Sequence, residues 1–435
     1  MLYPLLAFTA ILPQAQTLTA FTDGYPYGGM MPQTISGNGK YVGGSTFAGM
    51  MFLSDWEAGN YLVIDDSYGS AFEDFGSEIR GISNTGKGVG FDDNGAVTVN
   101  LATRDYRVIL PIDGANNIND AIATSISEDG SIIVGDIIGE GWDSAPVYWE
   151  DGEMHYLPLP DETDFGFTPA GYSARLVADG GNIIAGYAID NFATYPLVIW
   201  QRRADGTYVC DPVFKDYFEG GYGTKEFLRF HGMSITRDGT TVVMKLQYNT
   251  QDPALLGVNL LGLYTLADKK LRVIHIDGEH GVEPGADCTV WFNGISNDGT
   301  VVGWFTSDAG ARYPFIMYAD ELQPILLSRV FPKLEKLREF DENREHALSG
   351  ISADGRYICG MGQEYVAAYD YYLYTGYVID TKADDNGENA IETLAPDMKA
   401  APLYFSIDGK PLNGPADKGI TIEIDSDGKS RKLVK

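Results

Sequence analysis

The chain has 435 residues, with 31 Lys+Arg against 61 Asp+Glu and a formal net charge of −30. So acidic a surface repels phosphate backbones and anionic membranes, which excludes a nucleic-acid-binding role. Apolar residues make up 44% of the chain, too many for a disordered chain, and 52 glycines point to many tight turns.

Residues 1–16 carry an apolar run from Leu2 to Leu12, with Ala15 close behind, and are read as a signal peptide although no Lys or Arg precedes Lys40. The run is too short for a membrane span, and no other stretch approaches one, so no membrane span is expected. From residue 17 to 382 one phrase recurs: an apolar lead, Ser-x-Asp/Asn-Gly, then an apolar run ending in Gly. The copies begin at Ile35, Ile82, Ile126, Val177, Ile235, Ile295 and Ile351. Their turn glycines are read as 39, 86, 130, 180, 239, 299 and 355, spaced by 44 to 60 residues. The fourth copy is diverged, with Val177 in the place of Ser, and the fifth has Met244 where the strand-ending glycine belongs.

The chemistry of one unit is local. An Asp-Gly or Asn-Gly turn requires positive φ at the glycine. The apolar run after it reads as a strand, as in Ile132-Ile133-Val134. A polar connection leads to an aromatic strand, such as Val147-Tyr148-Trp149 or Leu197 to Trp200. A second turn (Asp151-Gly152, Asp205-Gly206) leads to a fourth strand. Four strands per unit make one antiparallel blade, which must stack on neighbours to bury its faces. Seven blades predict an all-β fold, a seven-bladed β-propeller of four-stranded antiparallel blades with a small C-terminal β tail, against an open β-solenoid or a ring of six or eight blades. One segment breaks the pattern. Leu334, Leu337 and Phe340 stand at helical spacing among charges, predicting an amphipathic helix between blades six and seven, as a packing cap or a lid.

The connections between second and third strands share one face of a propeller, and here they are the most variable stretches. They hold Asp92 and Asp93; Trp142 and Asp143; Asp190, Asn191 and Tyr195; Tyr248 and Asp252; Trp304, Asp308 and Arg312; and Glu364, Tyr365 and Tyr369. Aromatic rings beside carboxylates and amides suit sugar recognition, because a ring face stacks on C–H surfaces while polar groups take the hydroxyls. Tyr, Trp and Arg equally suit protein contacts. The binding candidates are therefore Trp142, Asp143, Asp190, Asn191, Tyr195, Trp304, Asp308, Arg312, Glu364, Tyr365 and Tyr369.

Residues 383–402 are polar and acidic and read as a linker. Residues 403–435 read as three short strands, Leu403–Ile407, Gly419–Ile424 and Ser430–Val434, joined by Asp-Gly turns. Asp425-Ser426-Asp427-Gly428 has the look of half a calcium loop, but Val434 stands where the bidentate Glu belongs, and it is read as a turn. No cofactor is expected; calcium at an acidic loop or on the axis stays open, and the metal content is unknown from sequence. Cys210, Cys288 and Cys359 offer no disulfide framework and no CxxC, and Cys359 in Tyr357-Ile358-Cys359 reads as a small buried hydrophobe. No HExxH occurs.

The Ile-Ser-x-Asp-Gly phrase, followed by Val-x-Gly and an aromatic strand, resembles the HAF-type extracellular repeat family across roughly residues 30–382. The tail resembles the C-terminal sorting domain of type IX secretion substrates, in the Asp408-Gly409-Lys410 turn, Lys418-Gly419-Ile420 and the Lys-rich end. Those resemblances imply export, either secretion or display on the outer surface of a Gram-negative cell. No G-x-S-x-G, P-loop or sialidase-type Asp-box is present. The expectation is an exported, monomeric, noncatalytic binding or adhesion propeller whose partner is a glycan or a protein at one face. The alternatives are a polysaccharide-active hydrolase or lyase on the same scaffold, or a structural cell-envelope protein.

Overall fold

Most of the turns fold on their own serine. In blade 3, Ser127 Oγ donates to Asp129 Oδ1 (2.6 Å) and accepts from Ile132 N–H (3.0 Å), while Gly130 N–H closes onto Ser127 O (2.9 Å). Burial alone would raise the Asp129 carboxyl, but hydrogen bonds from Ser127 and Ser131 outweigh it and hold it below its usual range. The same Ser–Asp/Asn bond recurs at Ser36, Ser296 and Ser352. Gly130 sits at φ 82°, where a Cβ is unfavourable.

The computed structural model describes residues 16–21, 29–68, 77–109, 120–138, 144–160, 169–189, 197–213, 227–248, 260–276, 290–307, 310–343, 345–366 and 371–382. In the C-terminal part it describes 403–406, 411–412, 420–424 and 430–434. The chain forms a seven-bladed β-propeller of four-stranded antiparallel sheets. Six blades are contiguous, blade 1 for example running Met30–Ile35, Tyr41–Thr46, Met51–Asp55 and Asn60–Ile64. Blade 7 takes three strands from the end of the ring, Ala347–Ile351, Tyr357–Val366 and Tyr371–Asp380. Its outer strand, Thr17–Ala20, comes from the N-terminal side. Thr17 pairs with Asp380 and Ala20 with Tyr377, so the ring is closed by its two ends.

The hydrophobic core is divided. Each of the seven apolar clusters lies between two adjacent blades, as where Leu53 and Leu62 of blade 1 meet Ile79 and Val97 of blade 2. The first strand of every blade faces the axis and carries a β-bulge, at Gln33, Arg80, Thr124, Arg175, the Gly232–Met233 pair, Asn293 and Ser349. Opposite most bulges the second strand has a glycine. A Cβ on Gly135 or Gly186 would lie 1.9 Å from the carbonyl oxygen of Ile122 or Ser173. In blade 5, where Met244 replaces that glycine, the bulge itself holds Gly232 at φ 55°.

At the turn end a belt of hydrogen bonds ties blade to blade. Asn84 N–H donates to Glu128 O (2.7 Å), Asp179 N–H to Arg237 O (2.9 Å), Asn297 N–H to Ala353 O (2.8 Å) and Ala353 N–H to Gly37 O (2.8 Å). Asparagine side chains bridge two more junctions, Asn38 N–H to Asn84 Oδ1 and Asp238 N–H to Asn297 Oδ1. Blades 3 and 4 are joined higher up, where Asp136 accepts from Ser173 Oγ (2.6 Å) and Ala174 N–H (2.8 Å).

The fourth repeat corrects the sequence reading by one residue. Ala178, not Val177, stands in the place of Ser. The turn glycine is Gly181, at φ 96° against Ile132 of blade 3, as Gly239 lies against Ile183 of blade 4. Asp179–Gly181 forms a short 3-10 turn, with Gly180 in the place that Asp129 takes in blade 3. The inserted segment forms two helices, α1 (Leu327–Val330) and α2 (Glu335–Glu342). Leu337 and Phe340 are buried, and Phe340 packs over Gly362 of blade 7, so α2 is a packing cap. Cys359 is fully buried, which pushes its thiol up to about 12. The described tail strands make a separate sheet with a fourth short strand, Pro411-Leu412, beyond the three expected. The signal-peptide reading of residues 1–15, the 383–402 linker and the Asp425–Gly428 turn lie outside the described residues.

Candidate functional site

The bulges build the axis. They turn Gln33, Arg80, Thr124, Met233, Asn293 and Ser349 into the wall of a cavity of ≈ 120 Å³, lined by all seven first strands. Two residues before the blade 6 bulge, and on the same side of the strand, stands Trp291. Its start-of-strand position puts it at the end of the axis opposite the Ser-x-Asp-Gly turns, on the face of the second-to-third-strand connections.

Trp291 begins a row that crosses three neighbouring strands. It pairs in register with Trp304, and the two rings stack at 5.7 Å with 26° between planes. The guanidinium of Arg312, on the third strand, lies 5.1 Å from the Trp304 ring and 3.3 Å from Glu345, just before blade 7. Trp291 is 38% exposed. An exposed indole stacked on a second indole is held flat at little entropic cost, since both are fixed by strand pairing. Arg312–Glu345 is a half-exposed pair that contributes little stability and mainly fixes the Arg312 orientation.

Further aromatics continue on this face. Tyr365 and Tyr372 of blade 7, both about half exposed, lie 5.3 Å apart, and exposed Phe47 of blade 1 lies 6.0 Å from Tyr374. Glu364 is ion-paired to Lys336 of α2 at 2.6 Å.

Of the residues singled out from sequence, Trp304, Arg312, Glu364 and Tyr365 are described. All four lie in strand ends rather than in loops, because these strands run further toward the face than the repeat phrase suggests. Trp304 and Arg312 come together; Glu364 and Tyr365 belong to blade 7, where Glu364 bonds to α2. Trp142, Asp143, Asp190, Asn191, Tyr195, Asp308 and Tyr369 lie outside the described residues. Asp92 is buried and accepts from Tyr106 Oη (2.5 Å) and Asn94 N–H (2.8 Å), so it shapes its turn. Sequence reading missed Trp291. Its signal was the alternation in Val290-Trp291-Phe292-Asn293, which sets Trp and Asn on one side and Val and Phe on the other.

One arrangement has the outline of catalytic machinery. Asp341 Oδ1 lies 2.7 Å from His346 Nδ1, and His346 Nε2 lies 2.6 Å from Tyr377 Oη. His346 and Tyr377 are fully buried, so no substrate can reach them, and the row pins α2 to blade 7. Burial lowers the His346 pKa below its ordinary 6.5, against the opposing pull of Asp341. Below 6.5 the unfolded chain therefore binds the proton more readily than the fold does, and stability falls as pH drops toward the lower, folded value. Urea midpoints between pH 7 and 5 are expected to show an acid loss that is absent in His346→Gln; parallel profiles for the two proteins would refute it. Among the described residues no three His, Cys, Asp or Glu side chains are grouped to hold a metal, and no helix is long and apolar enough to cross a membrane.

Fold and side chains together define a closed seven-bladed β-propeller with an aromatic–cationic row across blade 6, on the face of the second-to-third-strand connections. No family model matches the chain, and no curated protein matches its sequence. Among solved structures it is similar to puromycin hydrolase, at 10% identity and a TM-score of 0.51, over 94% of this chain and 61% of that one. It is also similar to the β-propeller domain of the Trilobed protease from Pyrococcus furiosus (13% identity, TM-score 0.47, 85% of this chain and 100% of that one). TolB from Acinetobacter baumannii matches at 14% identity and a TM-score of 0.36, over 57% of this chain. The chain spans about half of that TolB structure, 53% of its length. At such identities the likeness speaks for the propeller fold alone.

Proposed function

We propose that this protein is a noncatalytic binding propeller that takes its ligand on the Trp291–Trp304–Arg312–Glu345 row. One observation carries the reading: an exposed tryptophan is stacked on a second, with a guanidinium beside that second ring. The indole face suits the C–H face of a sugar ring, and Arg312 with Glu345 supplies a donor and an acceptor for its hydroxyls. A glycan is the favoured ligand. The signal-peptide reading and the sorting-type tail support export and surface display, where glycans are met.

The test is a glycan array probed with the full chain, with and without calcium, beside Trp291→Ala and Trp304→Ala. Selective binding is expected, and each substitution should weaken it by about 2 kcal/mol or more, roughly 30-fold. Binding that survives both substitutions would remove the row from the site. No glycan bound at all would move the reading to a protein ligand.

A further inference from the structure

The axial cavity is lined by a guanidinium that forms no close ion pair among the described residues. Three arginines stand around the axis. Arg80 is ion-paired to Glu78, and Arg175 lies 3.7 Å from Asp136. Arg237 lies in the blade 5 turn, and its Nη2 donates across the channel to Ile35 O of blade 1 at 2.9 Å. Among the described residues it has no carboxylate oxygen within 4.0 Å. Glu128 acts on it only at longer range, and Glu128 Oε1 is buried without a hydrogen-bond partner. Arg237 is partly exposed, and a half-enclosed guanidinium with five donors favours an anion beside it.

The surroundings suit such an anion. Arg237 and Arg80 both line the cavity, with the hydroxyls or amides of Thr34, Ser234, Asn293 and Ser349. Arg237 stands at the turn end of the cavity, opposite the aromatic face. A volume of ≈ 120 Å³ admits one small oxyanion group rather than a sugar ring.

We propose that the axial cavity is an oxyanion site, in which Arg237 receives a carboxylate, sulfate or phosphate group. The reading is independent of the tryptophan row. Two sources share the chemistry: a free inorganic ion, or an acid group on a larger ligand seated on the row.

The test is titration calorimetry of the full chain with sulfate, phosphate, acetate and glucuronate at constant ionic strength. Saturable heats matter here, because sulfate also stabilises proteins non-specifically by exclusion. At least one of these ions should bind the wild type saturably and about tenfold or more weaker to Arg237→Met, the loss of one charge-assisted bidentate contact. Should Arg237→Met fail to fold, Asn293→Leu replaces it: it crowds the cavity, keeps Arg237, and should weaken the same ion. Trp291→Ala separates the sources, leaving sulfate unaffected while weakening glucuronate if the acid belongs to a ligand on the row. Absence of saturable binding by all four ions, or equal binding by the wild type and the cavity variant, overturns the site.

Discussion

A chain lacking residues 1–21 is expected to lose its cooperative unfolding transition, although it lacks only the smallest strand of one blade. Thr17–Ala20 is the outer strand of blade 7, and its removal bares the edge formed by Tyr371–Asp380. Leu18 and Phe21 are 2% and 1% exposed, and Phe21 N–H bonds to Gly376 O at 2.8 Å. Phe21→Ala alone should cost about 3–5 kcal/mol, the usual effect of emptying a buried aromatic site. Leu18→Asp should cost more, since it puts an unpaired carboxylate into the cluster with Ile379 and Leu348. Urea unfolding followed by circular dichroism measures all three. A truncated chain that keeps the wild-type midpoint and slope would show that blade 7 stands without its closing strand.

The second large effect is expected at Gly186→Val. A Cβ there would lie 1.9 Å from the Ser173 carbonyl oxygen and 3.0 Å from the buried Trp200 ring. The carbonyl belongs to the inner strand just before its bulge, so relief requires moving backbone that also holds Asp136 through Ser173 and Ala174. A loss of about 3–5 kcal/mol follows, at the upper end of what single substitutions do. Gly152→Ala is the control. It sits at φ 84° with nothing within 4 Å, so only the backbone preference is lost, about 1–2 kcal/mol. Equal losses at the two positions would mean that close approach to the bulge plays no part.

How much of this was legible in the sequence follows from the range of each interaction. The Ser-x-Asp-Gly turns are satisfied within five residues, so their number gave the blade count. The helix at Glu335–Glu342 was legible for the same reason. Ring closure was not, because Thr17–Ala20 finds its partner at the far end of the chain and four residues of alternation carry no address. The bulges were also hidden: an extra residue in an inner strand shows only in the pairing register. Without them Asn293 and Ser349 could not be placed on the axis, and nothing drew attention to Trp291. Arg237 occupies the variable position of its repeat, where Gly37, Asn84, Glu128, Asn297 and Ala353 stand in others, and no local rule marks it as the residue that spans the channel. The four binding candidates among the described residues, expected in loops, stand on strands instead.

The closure of the ring by Thr17–Ala20 also sets an order of events during synthesis. Of the strands in the ring, Thr17–Ala20 is synthesised first, and it finds its place only once Tyr377–Asp380 have followed. Blades 1 to 6 can each hydrogen-bond their strands as they appear, yet both flanks of the growing arc stay open. Blade 1 lacks the cover of blade 7, and the newest blade presents an apolar face with no neighbour. Such edges invite pairing with other chains. The last joint is also the most non-local contact in the ring, and contacts of that kind make folding slow.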